Sequence, residues 1–346
     1  MNTYKNFING QFVNNKSNKT LDVTNPATGE VIYKIQEADD YVIKKAITSA
    51  QEAYKKWSAL SQIERTRILQ KVANLLREKN DELAKSEVLD TGKPLQEAIE
   101  VDIQTGADAI EYFANLAQSV TGIQQQVGED FFYTRREPLG VTLGIGAWNY
   151  PLQIACWKAA PALASGNVMI FKPSEETPLG AIKLAEVFIE AGLPAGVFNV
   201  VQGAAEVGKA LLNAPEIKKV SFTGEVGTGQ KVMSAAAASL KEVTMELGGK
   251  SPLIVFDDAN VDEAVTAAML GNFYTQGEIC TNCTRVFLHE DIYDQLIEKL
   301  VKRMKQNIKA GDPMDMNTNF GALISEKHMN LVLGYIETGK TEGAKL

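Results

Sequence analysis

Residues 141–172 read VTLGIGAWNYPLQIACWKAAPALASGNVMIFK. An apolar run, Val141–Ala147, leads into polar residues. A segment long enough for a helix follows, and a second apolar run, Val168–Phe171, closes the unit. The same rhythm continues through the apolar runs 197–201, 220–223, 243–247, 253–256 and 286–288, most of them separated by helix-length segments. Thr177-Pro178 reads as the start of one such helix, Thr as its cap and Pro in its first turn, with Gly192 at its end. Alternating β and α segments predict an α/β fold with a parallel sheet. Ligands of such sheets bind at the carboxyl ends of the strands, in the turns that lead into the helices.

Upstream the pattern is mostly helical. Val42, Ala46, Ala50, Ala53 and Trp57 share one helical face. Ser61-Gln-Ile-Glu64 reads as a capping box before Ile68, Leu69, Val72, Leu75 and Leu76. Residues 94–118 read as a third helix, and a short β segment is expected around Phe7–Phe12 and Ile32. Lys and Arg number 35 against 43 Asp and Glu, a net charge of −8, which argues against a binder of nucleic-acid backbones. The only histidines, His289 and His328, read as far from any site, which disfavours His-based metal clusters and a Ser-His-Asp triad. Three cysteines, Cys156, Cys280 and Cys283, are too few for a disulfide scaffold and suit a reducing compartment. The N-terminus lacks the apolar core of a signal peptide, and no run approaches the ~18 apolar residues of a membrane span. The expectation is a cytoplasmic protein that engages neither membrane nor nucleic acid.

Two strand-end turns are glycine-rich, Gly144-Ile-Gly146-Ala-Trp-Asn149 and Phe222-Thr-Gly224-Glu-Val-Gly227-Thr-Gly229. Neither matches G-x-G-x-x-G, so each reads as a plain tight turn or as a phosphate cradle. Cys280, in Gln276-Gly-Glu-Ile-Cys280-Thr-Asn-Cys283, is expected on a loop. It reads as a structural cysteine, as half of a Cys280/Cys283 redox or metal pair, or as a thiolate nucleophile. Glu246 ends an apolar strand before Gly248-Gly249. It reads as a solvated strand-end acid or as a general base enclosed by apolar neighbours. Asn149 supplies an amide donor that suits an oxyanion. A Cys nucleophile, a Glu base and an Asn donor beside a dinucleotide site would oxidise an aldehyde through a thioester.

Over its whole length the chain resembles the NAD(P)-dependent aldehyde dehydrogenases. The resemblance is carried by Phe7-Ile-Asn-Gly10, Asn25-Pro-Ala-Thr-Gly29, Arg136-Glu-Pro-Leu-Gly140, Trp148-Asn-Tyr-Pro151, Phe171-Lys-Pro-Ser-Glu175, Phe222-Thr-Gly224, Glu246-Leu-Gly-Gly-Lys250 and Gly277-Glu-Ile-Cys280. Residues 148–158 and 280–287 look most like the betaine aldehyde branch, with the trimethylaminobutyraldehyde and aminoaldehyde enzymes next.

The resemblance implies roles. Cys280 would be the nucleophile, Asn149 and the Cys280 amide the oxyanion donors, Glu246 the base that activates water, and Lys158 part of a proton relay. NAD would lie along Ile145, Gly146, Ala147 and Trp148, then Lys172, Pro173, Ser174 and Glu175. It would continue over Gly203, the turn Gly224, Glu225, Val226, Gly227 and Thr228, and the backbone of Leu247. A carboxylate at Glu175 disfavours a 2′-phosphate and hence NADP. Tyr150 and Trp157, about two helical turns apart, and Tyr274 would cage a small cationic aldehyde. Thr24 and Asp90 would hold a potassium ion.

The implied fold is the aldehyde dehydrogenase fold. A Rossmann-like cofactor domain would span 1–119 and 140–248, an oligomerisation hairpin 120–139, and an incomplete α/β catalytic domain 249–346. A homodimer or homotetramer is expected. The family's Glu-x-Phe-Gly-Pro segment and its C-terminal strands would lie beyond Leu346, which makes the chain a fragment or a truncated protein. Its alternatives are a catalytically silent remnant and a thiol-redox sensor. Three departures from the family stand out. Glu225 should repel pyrophosphate unless it turns outward, Glu278 replaces a commoner Gln, and Cys283 stands where a Gly is usual.

Overall fold

All seven apolar runs form strands; five of them share one sheet, and the last two, at 253–256 and 286–288, pair in a separate two-stranded sheet. The computed structural model describes residues 1–346. Five short strands come first: β1 (Thr3–Tyr4), β2 (Asn6–Ile8), β3 (Gln11–Val13), β4 (Thr20–Thr24) and β5 (Val31–Gln36). The helices α1 (Asp40–Trp57), α2 (Gln62–Glu78), α3 (Asn80–Thr91), α4 (Leu95–Glu97) and α5 (Ile103–Leu116) follow. A hairpin of β6 (Gln124–Val127) and β7 (Asp130–Tyr133) then leads into the alternating part. That part runs β8 (Val141–Ile145), α6 (Pro151–Ala164), β9 (Val168–Lys172), α7 (Leu179–Glu190), β10 (Phe198–Val200), α8 (Ala205–Asn213), β11 (Ile217–Gly224), α9 (Val226–Ala237) and β12 (Glu242–Leu247). The chain closes with β13 (Pro252–Val255), α10 (Val261–Phe273), β14 (Arg285–Leu288), α11 (Tyr293–Asn307) and α12 (Glu326–Thr341). No helix is long and apolar enough to cross a membrane.

The main sheet has the order β12-β11-β8-β9-β10-β2-β3. From β12 to β10 every pair is parallel, while β2 lies antiparallel to both β10 and β3. The carboxyl ends of five parallel strands therefore line one edge. β8 and β9 are buried at every position, as the covered middle of a parallel sheet requires. The predicted face of α1 is buried in full, and Ser61 and Glu64 make the reciprocal bonds of a capping box.

Three expectations need correction. The helix foreseen over 94–118 is interrupted by a π-helical turn, Ala98–Asp102. An extra helix, α3, precedes it; its buried side includes Glu87, Asp90 and Thr91, which hides the apolar period. Thr177 does not cap α7. Its buried hydroxyl has no partner, and the Leu179 amide donates instead to Asp90 Oδ2 at 2.9 Å.

One core of 60 buried residues joins the N-terminal helices to the main sheet. A separate, smaller core of Val255, Val265, Ile292 and Leu296 serves β13, β14 and the helices around them. Every residue of the β6–β7 hairpin strands is exposed, including Val127, Phe131, Phe132 and Tyr133.

Candidate active site

The strand-end residues predicted for the cofactor converge because of the strand order. Ile145 is in register with Lys172 and with Phe222, and Gly224 is in register with Leu247. The segments that begin at Ile145, Lys172, Gly224 and Leu247 thus leave neighbouring strands on one edge, and Gly203 follows β10 on the same edge.

Cys280, Glu246, Asn149, Lys158, Tyr150 and Trp157 line one cavity of about 1200 Å³. Cys280 lies on a loop between α10 and β14 and is exposed. Asn149 is aimed by its own amide: Nδ2 donates to the Glu278 carbonyl at 2.8 Å. An amide nitrogen has two hydrogens, so one remains for an oxygen bound beside Cys280. Lys158 Nζ donates to Ser221 Oγ at 2.9 Å. Burial lowers its pKa to about 7, against the pull of Glu246, so the ammonium can lose its proton near neutrality. Glu246 is exposed on the outermost strand of the sheet, so the apolar enclosure foreseen as one reading is not what surrounds it. It reaches water through the cavity.

Cys283 is turned to other work. Its amide donates to the Gly271 carbonyl at 2.8 Å, and its sulfur packs so close to Gly271 that a Cβ there would sit 3.0 Å away. All three cysteines are free thiols.

Of the proposed cage, Trp157 is 52% exposed and lines the cavity. Tyr150 also lines it, but the Lys93 ammonium stands 3.7 Å from its ring centroid and so takes one face. Tyr274 does not line the cavity; it ends α10 and is half-buried.

Along the cofactor edge the glycines have different uses. A Cβ on Gly144 or Gly146 would come within 2.7 Å of the Phe171 ring, so these two answer to packing rather than to a phosphate. Gly203 has φ +146°. Lys172 Nζ donates to the Pro173 carbonyl at 2.7 Å and lies 3.5 Å from Glu175 Oε2, a donor and acceptor set that fits ribose hydroxyls. Glu225 stays exposed but folds back on its own turn. Its carboxylate caps α9, accepting from the Gly227 amide at 2.7 Å and the Thr228 amide at 2.9 Å. Those bonds hold its carboxyl below the usual range. The amides that would meet a pyrophosphate are thus engaged by the chain's own anion.

The profile of the aldehyde dehydrogenase family matches residues 12–346. A betaine aldehyde dehydrogenase of Vibrio vulnificus is 59% identical over 98% of this chain and 70% of its own length. The chain belongs to the aldehyde dehydrogenase family. An aldehyde dehydrogenase from Bacillus cereus, solved as a NAD+ complex, superposes with a TM-score of 0.96 at 40% identity, over 99% of this chain and 70% of the other. An Escherichia coli enzyme described as NADP dependent also superposes at 0.96, with 37% identity over 99% and 72%. The aldehyde dehydrogenase fold is therefore shared across both cofactors, and residues rather than fold must choose between them.

Other parts of this aldehyde dehydrogenase site escaped the sequence. His328 is not remote: its ring centroid lies 5.2 Å from that of Trp148, and its Nε2 lies 3.6 Å from Glu278 Oε1. Burial raises Glu278 to about 7. Behind the cavity, Lys93 and Asp102 form a fully buried ion pair. Beside them Glu97 accepts from the Thr275 amide and hydroxyl. Nothing local marks Glu97 or His328, since their partners come from distant segments. Thr24 and Asp90 do not read as an assembled cation site. Thr24 is exposed, while the Asp90 oxygens accept from the Tyr33 hydroxyl and the Leu179 amide.

Proposed function

We propose that this chain oxidises betaine aldehyde to glycine betaine with NAD, through a thioester on Cys280. The observation that carries the reading is the single cavity shared by Cys280, Asn149, Glu246 and Lys158. In this reading the Cys280 thiol releases its proton to water in the cavity, the thiolate sulfur bonds to the carbonyl carbon, and the carbonyl π pair moves to the oxygen. Asn149 Nδ2 and the Cys280 amide hold that oxyanion. NAD, when bound, supplies the nicotinamide that accepts the hydride. The carbonyl then re-forms as a thioester. Glu246 takes a proton from water, whose oxygen attacks the thioester carbon; the C–S bond breaks, giving carboxylate and free Cys280. Lys158, able to gain or lose a proton near neutrality, carries protons away past Ser221.

NAD rather than NADP is supported by Glu175, whose carboxylate stands 3.5 Å from the Lys172 ammonium and repels a 2′-phosphate. The substrate assignment draws on the Vibrio vulnificus betaine aldehyde dehydrogenase and on the cavity walls. A trimethylammonium group donates no hydrogen bond, so aromatic faces and acids must recognise it. Trp157 offers an exposed face, and Asp108, Glu137 and Glu242 line the same cavity. We assign 1–119 and 140–248 to cofactor binding, 249–346 to catalysis, and the exposed hairpin at 120–139 to a homodimer or homotetramer. The free thiols suit the cytoplasm.

The test is Trp157→Ala, assayed for NADH formation with betaine aldehyde and with a neutral aldehyde of the same size. A KM rise of about threefold to thirtyfold for the cation alone is expected from one lost cation–π contact. Equal losses with both substrates would overturn the substrate assignment, and no aldehyde-dependent NADH from the wild type would overturn the function.

A further inference from the structure

The loop that carries Cys280 begins with a strained pair. Thr275 has φ 48° and Gln276 has φ 54°. Left-handed backbone is costly for any residue with a Cβ, and most of all for a β-branched one. Such a conformation persists only where the surroundings over-determine it. Here they do. Glu97 reaches across 178 positions of sequence and accepts from the Thr275 amide at 3.1 Å and from its hydroxyl at 3.0 Å. The Thr275 hydroxyl in turn accepts from the Tyr150 hydroxyl at 2.7 Å. The Thr275 carbonyl accepts from the Glu278 amide at 2.9 Å, and the Glu278 carbonyl is the group that aims Asn149. Glu97 and Thr275 are both buried, so water cannot replace these bonds. Glu97 itself is the last residue before the π-helical turn Ala98–Asp102, an irregularity of the kind found near functional sites.

We propose that Glu97 is a positioning residue for the reaction. Its carboxylate clamps Thr275 in the left-handed conformation and so sets the nucleophile loop, the oxyanion donor Asn149 and the Tyr150 wall together. It touches neither substrate nor cofactor. The proposal rests on the functional reading above for its kinetic consequence, but not for its geometry. Glutamine at position 97 keeps both halves of the clamp, since its carbonyl can accept from the amide while its amide faces the hydroxyl. Alanine removes them.

The experiment compares E97A and E97Q with the wild type by two readouts. The first is hydrogen exchange of the amides from Thr275 to Cys280. Protection should fall about tenfold or more in E97A, as an opened buried loop requires, and recover in E97Q. The second is the split between kcat and KM. In E97A kcat should drop about tenfold to a hundredfold, the cost of a nucleophile displaced by about an ångström, while the aldehyde KM stays within about threefold. E97Q should recover most of that loss. If E97A does not fold, E97D replaces it, one methylene too short to reach both donors, with the same pattern expected. Unchanged exchange in the alanine or aspartate variant would overturn the proposal. So would equal kcat losses in E97A and E97Q, which would assign the role to charge. A wild type without aldehyde-dependent NADH would sink the functional reading alone, because the exchange readout needs no turnover.

Discussion

Two turns lead into the candidate site, and each is held by a glutamate in an opposite way. At Gly224–Thr228 the glutamate is local: Glu225 folds back on the amides two and three residues ahead of it and stays exposed. At Thr275–Cys280 the glutamate is remote: Glu97 arrives from another helix and is buried with the residue it grips. A local, solvated carboxylate can swing away when another anion arrives. A remote, buried one cannot leave without opening the fold. The first carboxylate can thus be displaced and the second cannot, as the proposed reading of a cofactor turn and a fixed nucleophile loop requires.

The sharpest consequence falls on the fixed turn. Cys280→Ser should lower aldehyde-dependent NADH formation by at least about a thousandfold, whereas Cys283→Ser, whose sulfur packs on Gly271, should stay within about threefold. Comparable losses under reducing conditions would make the two cysteines a functional pair and break the contrast.

A smaller effect concerns Glu278 on the same loop. Burial lifts this acid from 4.5 to about 7. An acid whose folded value lies above its unfolded one binds more protons when folded, so its contribution to stability is lost as pH rises from about 4.5 through 7. Glu278→Gln removes the ionisation while keeping an acceptor for the Ile324 amide. Thermal melts should show stabilisation on the order of 1–3 kcal/mol at pH 8 that fades toward pH 5. A gain independent of pH would mean that Glu278 does not titrate in this window.

The smallest effect belongs to the movable turn. Glu225→Gln removes the resident anion from α9 and should tighten NAD about twofold to fivefold by calorimetry. Weaker binding would show that the carboxylate supports the cofactor rather than competing with it.

Legibility followed the same line between local and remote. The Val141, Val168 and Val220 runs, the Ser61–Glu64 box and the α1 face are local patterns, and they gave the parallel sheet and its carboxyl edge. That edge collected Asn149, Glu175, Glu246 and Leu247 from their positions at strand ends. The remote features left no trace in spacing. Asp90 caps α7 from 89 positions away, displacing Thr177. Glu97 finds Thr275 across 178, and His328 reaches Trp148 from the last helix. The exposure of Glu246 was equally hidden, because an apolar strand does not say whether it lies mid-sheet or, like β12, at the rim.

The thioester proposed on Cys280 can be trapped. In Glu246→Gln, acyl transfer to water should become the slow step, so NADH should appear in a burst followed by slow turnover. Acid quench at the end of the burst with betaine aldehyde and NAD, followed by peptide mass spectrometry, reads the site directly. The betaine acyl group is expected on Cys280, with Cys283 and Cys156 unmodified. A burst with no acyl group on Cys280, or with the group on another residue, would contradict it.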